Sequence, residues 1–348
     1  MATIQKTILD WAASQKTFVT HDVVIFLNKK YTRQYIQRGL NKLVNQGKLI
    51  KTGSTKSTKY ATKEMSSNLE MTFRKIYPAK GLEEHMVWDE IKNEMLCLRG
   101  LHENVLNLLF YAFSEMLNNA IDHSQSKKIQ VNMENKENIT SFIIIDWGVG
   151  VFKNIMKKNP YLKNPKEAIQ ELLKGKLTTD PKRHTGEGIF FTSKVCDSFR
   201  LNSGKDQLVD DKETGEFGPR QLEADQKGTA VFCEINKDNK NRLNDIFTKY
   251  YTNPKELDFD KTEIKIELYT IGRACISRSQ AKRVLNRLDR FKKVILDFSN
   301  VVTVGQGFAD EVFRVFKNQH PEVNISPINM NSSVKFMVNK TRQAFGNI

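Results

Sequence analysis

The 348-residue chain is 39% hydrophobic and 27% charged, enough apolar material for packed cores, so a wholly disordered chain and a single small core are both excluded. No stretch approaches the run of about 18 apolar residues that a membrane span needs, and Met1–Trp11 carries Lys6 and Asp10 where a signal peptide has an apolar run. The net charge of +15 is concentrated: residues 1–63 hold twelve Lys or Arg against Asp10 and Asp22, +10 of the total, a footprint that suits a polyanion such as nucleic acid.

Cys97, Cys196, Cys233 and Cys275 lie far apart with no CxxC spacing, which disfavours structural zinc and predicts a reduced, cytoplasmic chain. Patterning changes near 63–80 and again near 240–262, dividing the chain into three pieces. In the first, helices are predicted over Ile4–Ala12, over Val23–Leu27 after a Thr20-His21-Asp22 cap, and from an N-cap at Thr32. The third helix buries Ile36, Leu40, Leu43 and Val44 and presents Arg33, Gln34, Gln37, Arg38 and Asn41 on its other face. Strand-like runs at Lys48–Thr52 and Lys59–Thr62, joined by a tip that carries Lys56, predict a hairpin.

Three helices and a basic hairpin resemble a winged helix-turn-helix domain over residues 1–63. The resemblance implies DNA binding, with Arg33, Gln34, Gln37, Arg38 and Asn41 suited to base edges and phosphates and Lys56 to a phosphate. A solvated Lys-rich face and a protein-docking face are the alternatives.

The second piece opens on a helical stretch in residues 104–124, where Leu106, Leu109, Phe110, Phe113, Leu117, Ala120 and Ile121 are expected to face a core. Glu115, Asn119 and Asp122 share the other face. An apolar strand, Ser141–Ile145, runs into Asp146-Trp147-Gly148-Val149-Gly150. Gly186-Glu187-Gly188 precedes a helix over Ile189–Val195, and Lys227-Gly228-Thr229 precedes a strand over Ala230–Ile235.

Four motifs in this order resemble the N, G1, G2 and G3 boxes of GHKL ATPases, the superfamily of gyrase, heat-shock chaperones, histidine kinases and MutL. That resemblance implies a Bergerat-type α/β sandwich with a mixed sheet over residues 64–240, and ATP with Mg²⁺ as its ligands. Glu115 would be the general base, and Asn119 would offer an oxygen to Mg²⁺. Asp122, Asp146, Gly148, Gly150, Gly186, Gly188 and Thr229 would complete the ATP site. Of these, Asp146 and Thr229 would recognise adenine, and Gly186 and Gly188 would open a helix N-terminus toward phosphate.

Residues 151–185 would form a lid, with Lys182, Arg183 and His184 near its end. The wording of Phe113–His123 is also similar to anti-sigma-factor serine kinases. A histidine-kinase reading is disfavoured because His102 sits only thirteen residues before Glu115, so His85 and His102 read as ordinary helix residues.

Residues 262–345 alternate strand and helix, with strands over Ile264–Ile271, Lys293–Phe298 and Asn324–Ile328. Helices are expected from a Ser277 cap over Gln280–Phe291, over Gln306–Phe316 and around Val334–Val338. The run Ile295–Val301 followed by a helix resembles a STAS-like domain, the fold of anti-sigma-factor antagonists. Where those antagonists carry a phosphorylatable serine this chain reads Gly305-Gln306-Gly307, with Ser299 and Thr303 off the usual position, so an interaction or dimerisation role is expected.

The chain as a whole thus reads as a multidomain α/β protein. It is expected to be a slow ATPase whose nucleotide state controls binding of DNA or of a protein partner, in a monomer or a homodimer and away from membranes. A serine/threonine protein kinase and a non-enzymatic ATP sensor are the alternatives.

Overall fold

The computed structural model describes residues 4–54, 58–175, 187–250 and 261–343. Contacts define two units, one within Met1–Gly148, Val195–Phe199 and Ala230–Arg242, the other within Val149–Lys194, Arg200–Thr229 and Leu243–Ile348.

In the first unit, α1 (Ile4–Ala12), α2 (Thr20–Phe26) and α3 (Arg33–Asn45) precede a hairpin of β1 (Leu49–Thr52) and β2 (Lys59–Thr62). Ile8, Val23, Ile36, Leu40 and Leu43 from the helices share a core with Leu49 and Tyr60 of the hairpin. The Thr32 hydroxyl accepts the Tyr35 N–H at 3.3 Å and starts α3, as expected. By contrast α2 begins three residues earlier than expected. Asp22 lies inside its first turn, and its carboxylate reaches back to accept the Val19 N–H at 2.8 Å. An acid in that position both caps the helix and meets the positive end of its dipole. Lys56, at the hairpin tip, lies outside the described residues.

The same unit continues with β3 (Met71–Pro78), α4 (Glu84–Glu94), α5 (Glu103–His123), β4 (Lys128–Asn135) and β5 (Ile139–Asp146). β3 pairs antiparallel with β4, and β4 with β5. Along α5 the buried positions are Val105, Leu108, Leu109, Ala112, Phe113, Met116, Leu117 and Ala120. This corrects the expected face: Phe110 is 40% exposed and lies against Trp88, and Leu106 and Ile121 are half-buried. The helix is apolar around more than one stripe, so its period is clear but its phase is set by tertiary neighbours, as where Phe113 meets Phe142 of β5 edge-on.

The second unit begins with α6 (Val151–Lys158), α7 (Pro165–Leu173) and α8 (Gly188–Val195). β6 (Ser198–Asp211) and β7 (Phe217–Asn236) are each divided between the two units, and the strand order runs β3-β4-β5-β7-β6. In α9 (Leu243–Tyr250), Phe247 meets Phe191 of α8 edge-on at 4.8 Å.

The C-terminal α/β layer follows as β8 (Lys261–Glu267), β9 (Ala274–Cys275), α10 (Arg278–Leu285), β10 (Phe291–Asp297) and β11 (Thr303–Val304). It ends with α11 (Gln306–Asp310), which runs through a π-helical turn at Glu311–Phe316 into α12 (Lys317–Gln319), then β12 (Asn324–Ile328) and α13 (Ser332–Gln343). β10 pairs parallel with both β8 and β12, and β9 with β11. The chain is therefore a multidomain α/β protein with both parallel and antiparallel sheets.

Two expected elements in this layer are shorter than the periodicity suggested. β8 stops at Glu267 and gives way to a 3₁₀ turn at Leu268–Ile271, where the Thr270 hydroxyl donates to the Glu267 carbonyl at 2.7 Å. α10 has its Ser277 cap and Gln280 capping box but ends at Leu285, because Asn286 leaves the helical region at ψ 123° and Arg287 then turns left-handed at φ 64°.

Asp297 closes β10. It pairs with Lys265 at 2.8 Å and accepts hydrogen bonds from the Ser299 N–H and the Asn329 amide, both at 2.9 Å. Burial by itself would raise this carboxyl, but these partners outweigh it and hold it down to about 2. The folded value lies below the unfolded value of about 3.9, so the carboxylate's contribution is complete above pH ~4 and is lost as pH falls through the folded value. We predict that Asp297→Asn lowers stability at pH 7 by about 1–2 kcal/mol. The deficit against wild type in urea unfolding should narrow as pH is lowered from 4 toward 2.

Candidate functional site

Within the first unit, the polar stripe of α5 is joined to the turn after β5 by a short connection. The Ser126 N–H donates to the Ser124 hydroxyl at 3.0 Å. The Ser126 hydroxyl accepts the Trp147 N–H at 3.1 Å and donates to the Lys128 carbonyl at 2.6 Å. Gln125, between the two serines, takes a left-handed φ of 58°. Gly148 then lies directly on the end of α5: a Cβ there would fall 1.8 Å from the Ser124 carbonyl oxygen. Asp146 is 3% exposed, and one of its carboxylate oxygens accepts the Gly148 N–H at 2.8 Å. Glu115 and Asn119 are half-buried on α5 and Asp122 is exposed.

The Asn119 Nδ2 is buried with no hydrogen-bond partner. A buried, unmet amide lowers stability unless another group bonds it, which fits a side chain kept for a ligand. The donor chemistry fits Mg²⁺ as well. This cation takes oxygen ligands and is usually held by one or two protein groups together with substrate phosphates, and the two ends of an amide are exchanged by a simple flip. Among the described residues, no cluster of three or more His, Cys, Asp or Glu is arranged to hold a metal.

Within the second unit, Gly150 precedes α6 at φ +80°, and a Cβ there would lie 2.5 Å from the Ser203 hydroxyl. That hydroxyl donates to the Gly228 carbonyl at 2.8 Å. The Thr229 hydroxyl is buried and accepts the Val151 N–H at 3.1 Å. Gly150 and Thr229, 79 residues apart, therefore share one backbone junction, which Ser203 completes. Ser203 escaped sequence reasoning because nothing in its neighbourhood marks it. Gly188 is the first residue of α8. Gly186, Lys182, Arg183 and His184 lie outside the described residues.

On α3, Arg33, Gln34, Arg38 and Asn41 are exposed. Gln37 is half-buried and engaged within the fold. It accepts from the Thr20 hydroxyl at 2.8 Å and donates to the Tyr60 hydroxyl at 2.7 Å and the Asn41 amide oxygen at 3.3 Å. His85 is exposed in α4, and His102 sits at the N-cap position of α5. All four cysteines are buried and free.

Residues 280–335, from α10 into α13, match the family model described as a STAS-like domain of unknown function, DUF4325. The C-terminal part of the chain is thus STAS-like, as its sequence suggested. No curated protein matches the chain. At the start of α11, a Cβ on Gly305 would fall 2.7 Å from the Ile276 carbonyl oxygen, so a serine there is sterically refused. No described helix is long and apolar enough to cross a membrane.

The Gly148 contact yields a direct test. Gly148→Ala must displace backbone at Ser124 and should cost about 1–3 kcal/mol. Thermal melting of the two proteins would check it, and an unchanged midpoint would contradict the packing described.

Proposed function

We propose that the chain is an ATP-binding regulatory protein in which residues 64–240 act as a GHKL-type nucleotide domain and slow Mg²⁺-dependent ATPase. Residues 1–63 act as a winged helix-turn-helix that binds DNA, and the STAS-like domain binds protein. The observation that carries this reading is the backbone contact between Ser124 and Gly148. It ties the turn that begins at Asp146 to the helix bearing Glu115, Asn119 and Asp122. Two of the four motifs, some thirty residues apart, are thus parts of one packed feature, as a shared ligand requires.

Each residue then has a role. Asp146, buried and already oriented by the Gly148 N–H, accepts from an adenine amino group. Thr229 contributes its hydroxyl, which is held in place by the Val151 N–H. Gly150 and Gly188 keep the chain slim where it passes the ligand. Asn119 turns its amide oxygen to the metal. Glu115, one helical turn before Asn119, accepts the proton of the attacking water. Mg²⁺, when bound, neutralises phosphate charge and aligns the leaving group. On the DNA side, Arg33 and Arg38 of α3 meet phosphates and base edges alongside Gln34 and Asn41, while Gln37 serves to fix the helix.

A second reading, serine/threonine kinase, is favoured by one specific observation. The helix wording that resembles anti-sigma-factor kinases occurs in the same chain as a STAS-like domain. The phosphorylated protein would then be a separate partner, since this chain reads Gly305-Gln306-Gly307 where a phosphorylatable serine is expected.

Phosphate release from ATP·Mg²⁺ should be measured for wild type and Glu115→Ala, with and without duplex DNA. The expected result is a loss of about 100-fold or more in Glu115→Ala with ATP binding retained, and a wild-type rate that responds to DNA. Label transfer from γ-labelled ATP to a protein, without free phosphate, would favour the kinase. Absence of ATP binding would overturn both.

A further inference from the structure

Beside the STAS-like domain lies a cluster of charges that the proposed nucleotide chemistry does not use. From α7 come Glu167 and Glu171, and just beyond it Lys174, all about 95% buried or more. From the STAS-like domain come Arg283 and Arg287. The Lys174 ammonium pairs with Glu171 and donates to the carbonyls of Val284 at 3.1 Å and Asn286 at 2.8 Å, at the end of α10. Arg283 lies 3.5 Å from Glu167, and Arg287 lies 3.7 Å from Glu171 and donates to the Gly175 carbonyl. A buried ammonium and two buried carboxylates thus meet two partly buried guanidinium groups where one helix meets another domain. Both amide atoms of Gln170 are buried there without partners, beside a cavity of about 20 Å³.

The backbone adds an independent observation. Arg287 sits at φ 64°, where glycine or asparagine is at ease and a long side chain carries a cost. The position is filled by a side chain whose guanidinium reaches from just beyond α10 to Glu171 and the Gly175 carbonyl at the end of α7.

We propose that the STAS-like domain has α7 of its own chain as its partner, and that this cluster is a reversible latch between them. Buried ion pairs suit that task. Their attraction is largely offset by the desolvation of the charges, so they dictate one docked geometry without making separation prohibitive. Removing a single partner is different, because it strands a charge. Binding of another molecule to the Arg283–Arg287 surface would compete with α7, and anything that moves α7 would expose that surface. The latch itself needs no nucleotide; its link to nucleotide state, through the segment between Gly150 and Gly188, rests on the ATP reading.

Hydrogen exchange on the full chain tests it, with Arg287→Glu, Arg287→Asn and the swap Glu171→Arg with Arg287→Glu. Asparagine accepts the left-handed backbone, so it removes the guanidinium while sparing the fold. Amides of α7 should exchange about tenfold faster in Arg287→Glu and measurably faster in Arg287→Asn, with β10 amides unchanged. The swap should restore most of the protection. Unchanged α7 exchange, no rescue by the swap, or parallel acceleration in β10 would overturn the latch. Adding a non-hydrolysable ATP analogue with Mg²⁺ should shift α7 exchange in wild type. Binding without that shift would sever the latch from nucleotide state. No binding at all would overturn the ATP reading, while the variants would still decide the latch.

Discussion

Gly148 rests on the carbonyl of Ser124 with no room for a single added carbon. Much of the first unit's candidate site depends on that approach. The last turn of α5 and the end of β5 cannot move apart without straining the Ser126 bond to Trp147, nor closer without a clash. Asp146 is consequently held, buried, at a defined place along the helix that carries Glu115 and Asn119. A carboxylate and an unmet amide fixed in this manner form a recognition surface whose ordering cost is met when the protein folds.

The second unit applies the same logic with charge in place of steric contact. Around Lys174, burial pushes the ammonium's affinity for its proton down, while Glu171 pulls it up. The carbonyls of Val284 and Asn286 complete its hydrogen bonding. An aliphatic side chain would pack there at less risk, and the chain instead carries a group that specifies one docked arrangement. Close by, Tyr269 donates to the Pro219 carbonyl at 3.1 Å, and Arg220 lies 3.7 Å from Glu267. The C-terminal α/β layer therefore touches both α7 and the start of β7.

Basic charge is distributed differently. In residues 1–63 it is spread over exposed positions such as Arg33 and Arg38, where it acts over a distance and is screened by salt. Around α7 it is buried at Lys174 and partly buried at Arg283 and Arg287, and it acts mainly at contact. The +15 total thus contains two populations, one suited to long-range attraction of a polyanion and one suited to docking within the chain.

Much of this was legible in the sequence because local chemistry dictated it. The cap at Thr32, the Ser277–Gln280 capping box and the alternation around β10 each mark an element regardless of what packs against it. The end of the apolar run at Asp146 and the spacing of Glu115, Asn119 and Asp122 on one helical face also needed no neighbour. Tertiary structure alone decided the rest. Phe110 is outside and Leu108 inside because a helix with wide apolar coverage takes its phase from what it meets. Ser203 joins Gly150 and Gly228 through a contact between distant segments that no local pattern encodes. Arg287 looks like one more surface arginine until the backbone turns left-handed and aims it at α7. Periodicity and capping are properties of a few neighbouring residues, so a sequence displays them. Phase, close approach and charge pairing belong to segments far apart in the chain, and exist only once it has folded.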